Sequence, residues 1–147
     1  MILTSKGRYA VMAVVDIAIN GEEGKPITLA DISTRQEITI AYLEQIFSKL
    51  KAGGIVKSVR GPGGGYMLAD KAENINVADV IRAVKEPMKI TRCKDSDEKN
   101  GCMSKSAKCI THDLWSELED NIFGFLQKTS IKDVCEHNFA KIELLRA

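Results

Sequence analysis

From Arg8 to Asn20 the chain is apolar nearly all round, with Tyr9, Val11, Met12, Val14, Val15, Ile17 and Ile19 leaving little polar face. That spacing predicts a largely buried helix, which Gly21 is placed to end. In "PITLADISTRQEI", Thr28 stands three residues before Asp31 and directly ahead of Leu29 and Ile32. A short capped helix is predicted there, ending near Arg35 or Gln36. After a tight turn, Thr39 can cap a third helix whose apolar positions Leu43, Ile46, Phe47 and Leu50 follow the i, i+3, i+4, i+7 rule until Gly53-Gly54 stops it.

The period then shortens. "IVKSV" and "YMLA" read as two strands joined by "RGPGGG", a hairpin whose glycines at 61, 63, 64 and 65 permit positive φ and close approach to another surface. Two capped helices, a tight turn and a hairpin make a winged helix-turn-helix: the second helix of the pair enters the major groove, and the wing lies along the backbone or in the minor groove. The outward face of that helix carries Ala41, Tyr42, Glu44, Gln45, Ser48 and Lys49, small, amide, hydroxyl and charged groups suited to base edges. The glycine run is not a phosphate-binding loop, because "YMLAD" follows it where Gly-Lys-Ser/Thr and a helix are required. A plain hairpin turn without a ligand is the competing reading.

Further on, "NVADVIRAVKE" (76–86) predicts a short helix with Val77, Val80, Ile81 and Val84 on one face, stopped by Pro87. From Thr111, "THDLWSELEDNIFGFLQKTS" predicts a long C-terminal helix with Leu114, Trp115, Leu118, Ile122, Phe125 and Leu126 on one stripe. So large a stripe at the end of a small domain implies either a second copy of the chain, as a dimerisation helix, or packing on the first helix.

Length sets the frame for these elements. At 147 residues, 44% hydrophobic and 28% charged, the chain is an ordinary globular protein of mainly α class. It divides into a winged helix-turn-helix domain at 1–87, a ligand loop at 88–112 and a dimerisation helix with tail at 113–147. The net charge of +1 gives no bulk case for nucleic acid. Locally, however, Lys49, Lys51, Lys57 and Arg60 fall between Gln45 and Ala69 with no Asp or Glu among them. Arg8 and Asp16 interrupt the first apolar run, so no membrane span and no leader is expected, and the protein is expected in the cytoplasm.

In a reducing compartment, clustered Cys and His point to metal or redox chemistry more than to disulfides. The spacing Cys93-x8-Cys102-x6-Cys109-x2-His112 lacks the two tight ligand pairs of a zinc knuckle, since only Cys109 and His112 lie close together. Longer spacers suit an iron-sulfur centre, a larger object for the loop to embrace; zinc, a thiol switch and unliganded cysteines stay open. Cys135 and His137 have no clear partners and read as structural or surface residues. No nucleophile-base pair or carboxylate dyad stands out, so an enzyme is not expected.

"LTSKGRYAVMAVVDIA", "YLEQIFSKLK", "SVRGPGGGYML" and the three cysteines followed by "CITHDLW" resemble the IscR family of bacterial iron-sulfur cluster regulators, over about residues 1–128. The resemblance implies a homodimeric winged-helix repressor of cluster-assembly genes, with a palindromic DNA operator and cluster donor proteins as partners. It implies a 2Fe-2S cluster on Cys93, Cys102, Cys109 and His112, with a 4Fe-4S cluster, as in related nitric oxide or iron sensors, or zinc as alternatives. Three thiolates and one imidazole leave the site less negative than four thiolates would, hence easier to reduce. Tyr42, Glu44 and Gln45 match the recognition helix and Arg60 the wing arginine; Thr39, Ala41, Lys49 and Gly63 complete the expected DNA-facing set. Ala41 stands where family members carry serine, and the first Cys spacer is longer than theirs. Glu44 is expected to repel phosphate and accept from cytosine, trading affinity for selectivity.

Overall fold

The computed structural model describes residues 3–21, 24–91, 103 and 108–139. α1 (Ser5–Asn20) buries Ala10, Ala13, Val14 and Ile17, and the Gly21 N–H closes it by donating to the Ile17 carbonyl at 2.8 Å. α2 (Leu29–Gln36) and α3 (Ile40–Ala52) start where the sequence puts caps: Thr28 Oγ1 accepts from the Asp31 N–H and Thr39 Oγ1 from the Tyr42 N–H. Between them Glu37 takes a left-handed conformation (φ 55°), which turns the chain and sends Ile38 into the core. Leu43, Ile46, Phe47 and Leu50 of α3 are buried against α1, as their spacing predicts.

β1 (Val56–Val59) and β2 (Gly65–Leu68) form the antiparallel hairpin, with Val56 opposite Leu68 and Val59 opposite Gly65. One more rung joins it. Ile27 exchanges backbone hydrogen bonds of 2.9 and 2.8 Å with Tyr66, so the segment leading into α2 is stitched to the wing. Gly65 is required there, because a Cβ would lie 2.4 Å from the Ile27 carbonyl oxygen. A mainly helical chain with one two-stranded hairpin is the fold class the sequence implies.

One departure from the sequence reading concerns the end of an element. α4 (Val77–Ala83), capped by Asn76, stops well short of Pro87, because Lys85 enters the left-handed region (φ 57°). The reversal swings Glu86 under the start of α1, where its carboxylate accepts from the Thr4 N–H (2.9 Å) and hydroxyl (2.6 Å). Glu86 is buried, and the opposing acceptor hydrogen bonds and nearby Lys6 hold its carboxyl below the usual range although burial pushes the other way.

α5 (His112–Lys128) lies against α4 rather than α1, with the Arg82 guanidinium 4.6 Å from the centre of the Phe123 ring. Beyond it, the Val77 N–H donates to the Thr129 carbonyl and the Ile131 N–H to that of Ile75, at 2.9 and 2.8 Å. These bonds fold α6 (Ile131–Cys135) back onto α1, where Ile131 is fully buried. Ser130 and Asp133 form a reciprocal capping box that the sequence contains and the sequence reading passed over.

The polar joint between α1 and α2 fixes the helix pair. Asp16, 1% exposed, accepts from Arg35 Nη2 (2.7 Å), Arg35 Nε (3.0 Å) and Gln36 Nε2 (2.8 Å). Burial alone would raise its carboxyl, but the hydrogen bonds and the Arg35 charge together hold it below the usual carboxylate value. Replacing it by Asn removes the charge and half the fork; Asp16→Asn is expected to cost about 2 kcal/mol in denaturant unfolding at neutral pH. A carboxyl depressed in the folded state stabilises fully above its unfolded value and loses that stabilisation as pH falls through the folded value. The gap between wild type and variant is therefore expected to hold above about pH 4 and to close below it, as unfolding midpoints across pH will measure.

Candidate nucleic-acid interface and ligand turn

The exposed side of α3 carries Ala41, Glu44, Gln45 and Ser48, while Lys49 is half-buried at its edge. Tyr42 lies on the boundary: its ring meets Tyr9 edge-on at 5.8 Å and packs against the core, so only its rim faces outward. Thr39 is already used as the helix cap. Sequence reasoning left out Ile40, which is 45% exposed on the first turn of α3. The apolar stripe alone did not identify it, but an exposed apolar side chain at the start of a recognition helix is placed to meet a thymine methyl group.

The Phe47 ring of α3 and the Tyr66 ring of β2 meet at 4.7 Å between centroids, tilted by 56°, which packs the helix against the wing. At the wing tip Gly61 (φ 96°) and Gly63 (φ 73°) occupy conformations that L side chains rarely adopt, and both are exposed. Arg60 is exposed beside them and makes no hydrogen bond or ion pair among the described residues. Lys57 is exposed three residues earlier in β1, and Lys51 Nζ donates to Ser58 Oγ at 2.8 Å, joining the end of α3 to the wing. The result is a cationic rim from α3 to the wing tip around a face of small and amide groups. Phosphates can be met at the rim and base edges between.

The second candidate region is the turn into α5. The His112 N–H donates to the Cys109 carbonyl at 3.0 Å, which sets thiol and imidazole one turn apart at the start of a 17-residue helix. Cys109 Sγ lies 3.8 Å from Thr111 Oγ1, and that hydroxyl also accepts from Trp115 Nε1 at 3.1 Å. Both ligand candidates are half-buried. Thiolate with imidazole is a donor set for soft metals, so the described half of the set fits an iron-sulfur or zinc centre. Cys93 and Cys102 lie outside the described residues; among the described residues no three His, Cys, Asp or Glu side chains gather as a metal site.

Cys135 belongs to α6, where burial pushes its thiol up, and His137 is exposed against Phe139 at 6.5 Å. Neither joins the ligand turn through any contact described. A contact that sequence reasoning missed does: Glu119 Oε1, on α5, accepts from the Ile90 and Thr91 N–H groups at 2.7 and 3.2 Å. Nothing in the acidic run Glu117–Asp120 singles that residue out beforehand.

The profile of the Rrf2 family, described as iron-dependent transcriptional regulators, matches residues 3–137. The HTH-type transcriptional regulator IscR of Escherichia coli O1:K1 is 52% identical over 134 residues, 91% of this chain and 80% of that protein. Among solved structures, IscR of T. potens aligns with a TM-score of 0.72 at 30% identity, covering 99% of this chain and 96% of the other. CymR of B. subtilis, a global cysteine regulator, aligns with a TM-score of 0.77 at 26% identity, covering 93% and 98%. These relatives are named as regulators of transcription, not as enzymes. No described helix is long and apolar enough to cross a membrane.

The exposed arginine and glutamine give the interface its test. On an operator selected from random duplexes, Gln45→Ala is expected to lose about 1–3 kcal/mol of binding and to relax the preference at one base pair. Arg60→Ala is expected to weaken binding and to lower the slope of log affinity against log salt by about one unit. Sedimentation of both variants is expected to match the wild type, and unchanged DNA affinity in both would remove this assignment.

Proposed function

Because the chain belongs to the Rrf2 family and is a transcriptional regulator of the IscR type, we propose that it is a homodimeric repressor of iron-sulfur cluster assembly genes that senses a 2Fe-2S cluster. Cys93, Cys102, Cys109 and His112 would hold the cluster. Ala41, Glu44, Gln45 and Lys49 of α3, with the rim of Tyr42, would read the operator, while Thr39 holds the helix start and Arg60 and Gly63 bring the wing to the groove. The carrying observation is the place of the ligand turn. Cys109 and His112 open the helix that packs on α4, and the segment leading to Cys93 is tied to that same helix by Glu119. A group bound there touches the hinge between the DNA-reading body and the exposed C-terminal helix.

The dimer reading rests on the apolar side of α5. Leu114 is 58% exposed, Phe125 44%, Leu118 39% and Trp115 37%, and Ile110 just before the helix is fully exposed. An unpartnered stripe of this size is what a two-fold interface covers, and two-fold symmetry matches a palindromic operator. The chain then divides as a DNA-binding domain at 1–87, a ligand loop at 88–112 and an interface helix from 113, with α6 returning to pack on α1. When bound, the cluster would supply a redox- and iron-dependent occupancy. The residues around it do the rest: Thr4 and Glu86 hold the loop base to α1, Glu119 holds it to α5, and Arg82 seats α5 on α4. By linkage, cognate DNA tightens cluster retention by the factor with which the cluster changes DNA affinity.

Anaerobic purification tests this reading. The wild type is expected to be brown, with iron and acid-labile sulfide in equal amounts, and Cys109→Ala and His112→Ala are expected to be colourless yet folded. His112→Cys is expected to keep a cluster at a lower reduction potential, since a fourth thiolate adds negative charge. A colourless wild type with stoichiometric zinc, or an oxidant-formed disulfide among the three cysteines with no metal, overturns the cluster.

A further inference from the structure

The Glu119 contact has a geometry that a merely stabilising surface carboxylate lacks. One oxygen receives two consecutive backbone N–H groups, Ile90 at 2.7 Å and Thr91 at 3.2 Å, across 29 and 28 residues of sequence. Two donors on one carboxylate oxygen fix both the position and the direction of the chain, because rotation about either bond breaks the other. Thr91 is two residues before Cys93, so the chain allows Cys93 a radius of only about 7 Å from the clamp. Glu119 is seven residues beyond His112 on the same helix, two turns on, which puts both on one face about 10 Å apart. The clamp therefore starts the loop on the face of α5 that carries the last ligand candidate.

We infer that Glu119 is a positioning residue of the metal site: it anchors Ile90 and Thr91, the approach to Cys93, on the helix that begins at His112. This rests on the metal-binding reading given above and deepens it. The eight-residue spacer between Cys93 and Cys102 makes the loop long, and a long loop closed on a metal loses more conformational entropy than a short one. Fixing one end before the metal arrives removes part of that cost. The role assigned to Glu119 is that of an anchor: its Oε1 is the acceptor of both N–H groups.

The test uses the full chain purified anaerobically with whatever metal it holds. Cluster loss is followed by visible absorption under excess chelator, or zinc release by a chromogenic chelator, in wild type, Glu119→Ala and Glu119→Gln. Glu119→Ala is expected to release metal about ten-fold faster or more, and Glu119→Gln, which keeps a carbonyl acceptor, to restore the rate to within about three-fold of wild type. Amide hydrogen exchange in the metal-free Ala variant is expected to rise at Ile90 and Thr91 and to stay unchanged in α1 and α3. Equal release rates in wild type and Glu119→Ala, or no rescue by Gln, overturn the inference. A zinc-loaded wild type overturns the cluster reading and leaves the Glu119 comparison standing; a wild type without metal overturns both.

Discussion

The buried carboxylate of Asp16 is the contact on which the DNA-reading half depends. A recognition helix can read bases only if its angle to the rest of the body is fixed to within a few degrees, and apolar packing alone tolerates sliding. Asp16 removes that freedom. It lies on α1, inside an otherwise apolar run, and grips the last turn of α2 through Arg35 and Gln36. The next residue, Glu37, makes the left-handed turn, and Thr39 caps α3 two residues later. The orientation of α3 is thus set from α1 through one forked ion pair and a three-residue turn. The wing follows from the same source, since Phe47 packs on Tyr66 and Tyr66 is bonded to Ile27 at the entrance of α2.

The same device recurs at each joint of the chain. Glu86 ties the end of the α4 region to the start of α1, and Glu119 ties the next few residues to α5. In both cases an acceptor-only group takes backbone or side-chain donors that lack a helical partner. The segment 86–91 is therefore a short strap with one end on the DNA-binding body and the other on the C-terminal helix. Pro87, read from sequence as a helix stop, sits inside this strap; the stop itself belongs to Lys85.

Local signals were legible and distant ones were not. Thr28, Thr39 and the α3 stripe act within a few residues, so their spacing alone defined two helices, and two short β-like runs around "RGPGGG" defined the wing. Asp16 acts on residues 19 and 20 positions away, and in the sequence it reads only as a break in a hydrophobic run. Glu86 and Thr4 are 82 positions apart, beyond any periodicity. Tyr42 sits where the polar and apolar faces of α3 meet, and its ring was won by Tyr9. α6 was missed for a different reason: the Ser130 and Asp133 box was in plain view, but five residues of helix carry too little periodicity to be noticed beside the long α5.

The magnitudes are those that the proposed coupling through the strap would need. Coupling between two binding sites is typically about 1–3 kcal/mol, enough for a 5- to 150-fold change in affinity. A hydrogen bond to a charged group contributes about 1.5–3 kcal/mol net, so the gain or loss of one clamp on the strap is of that size. No global rearrangement of the winged helix is required, and its core argues against one: Ile32, Leu43, Phe47, Val80 and Ile131 come from α2, α3, α4 and α6 and are all fully buried, so displacing any of them opens a cavity. The strap and the exposed turn of α5 are the cheap degrees of freedom. The strap meets α5 through Glu119, Glu86 joins it to the start of α1, and α1 holds α2 through Asp16. In the proposed dimer, a change at the strap is expected to alter how the two copies of α3 are spaced while each keeps its own shape.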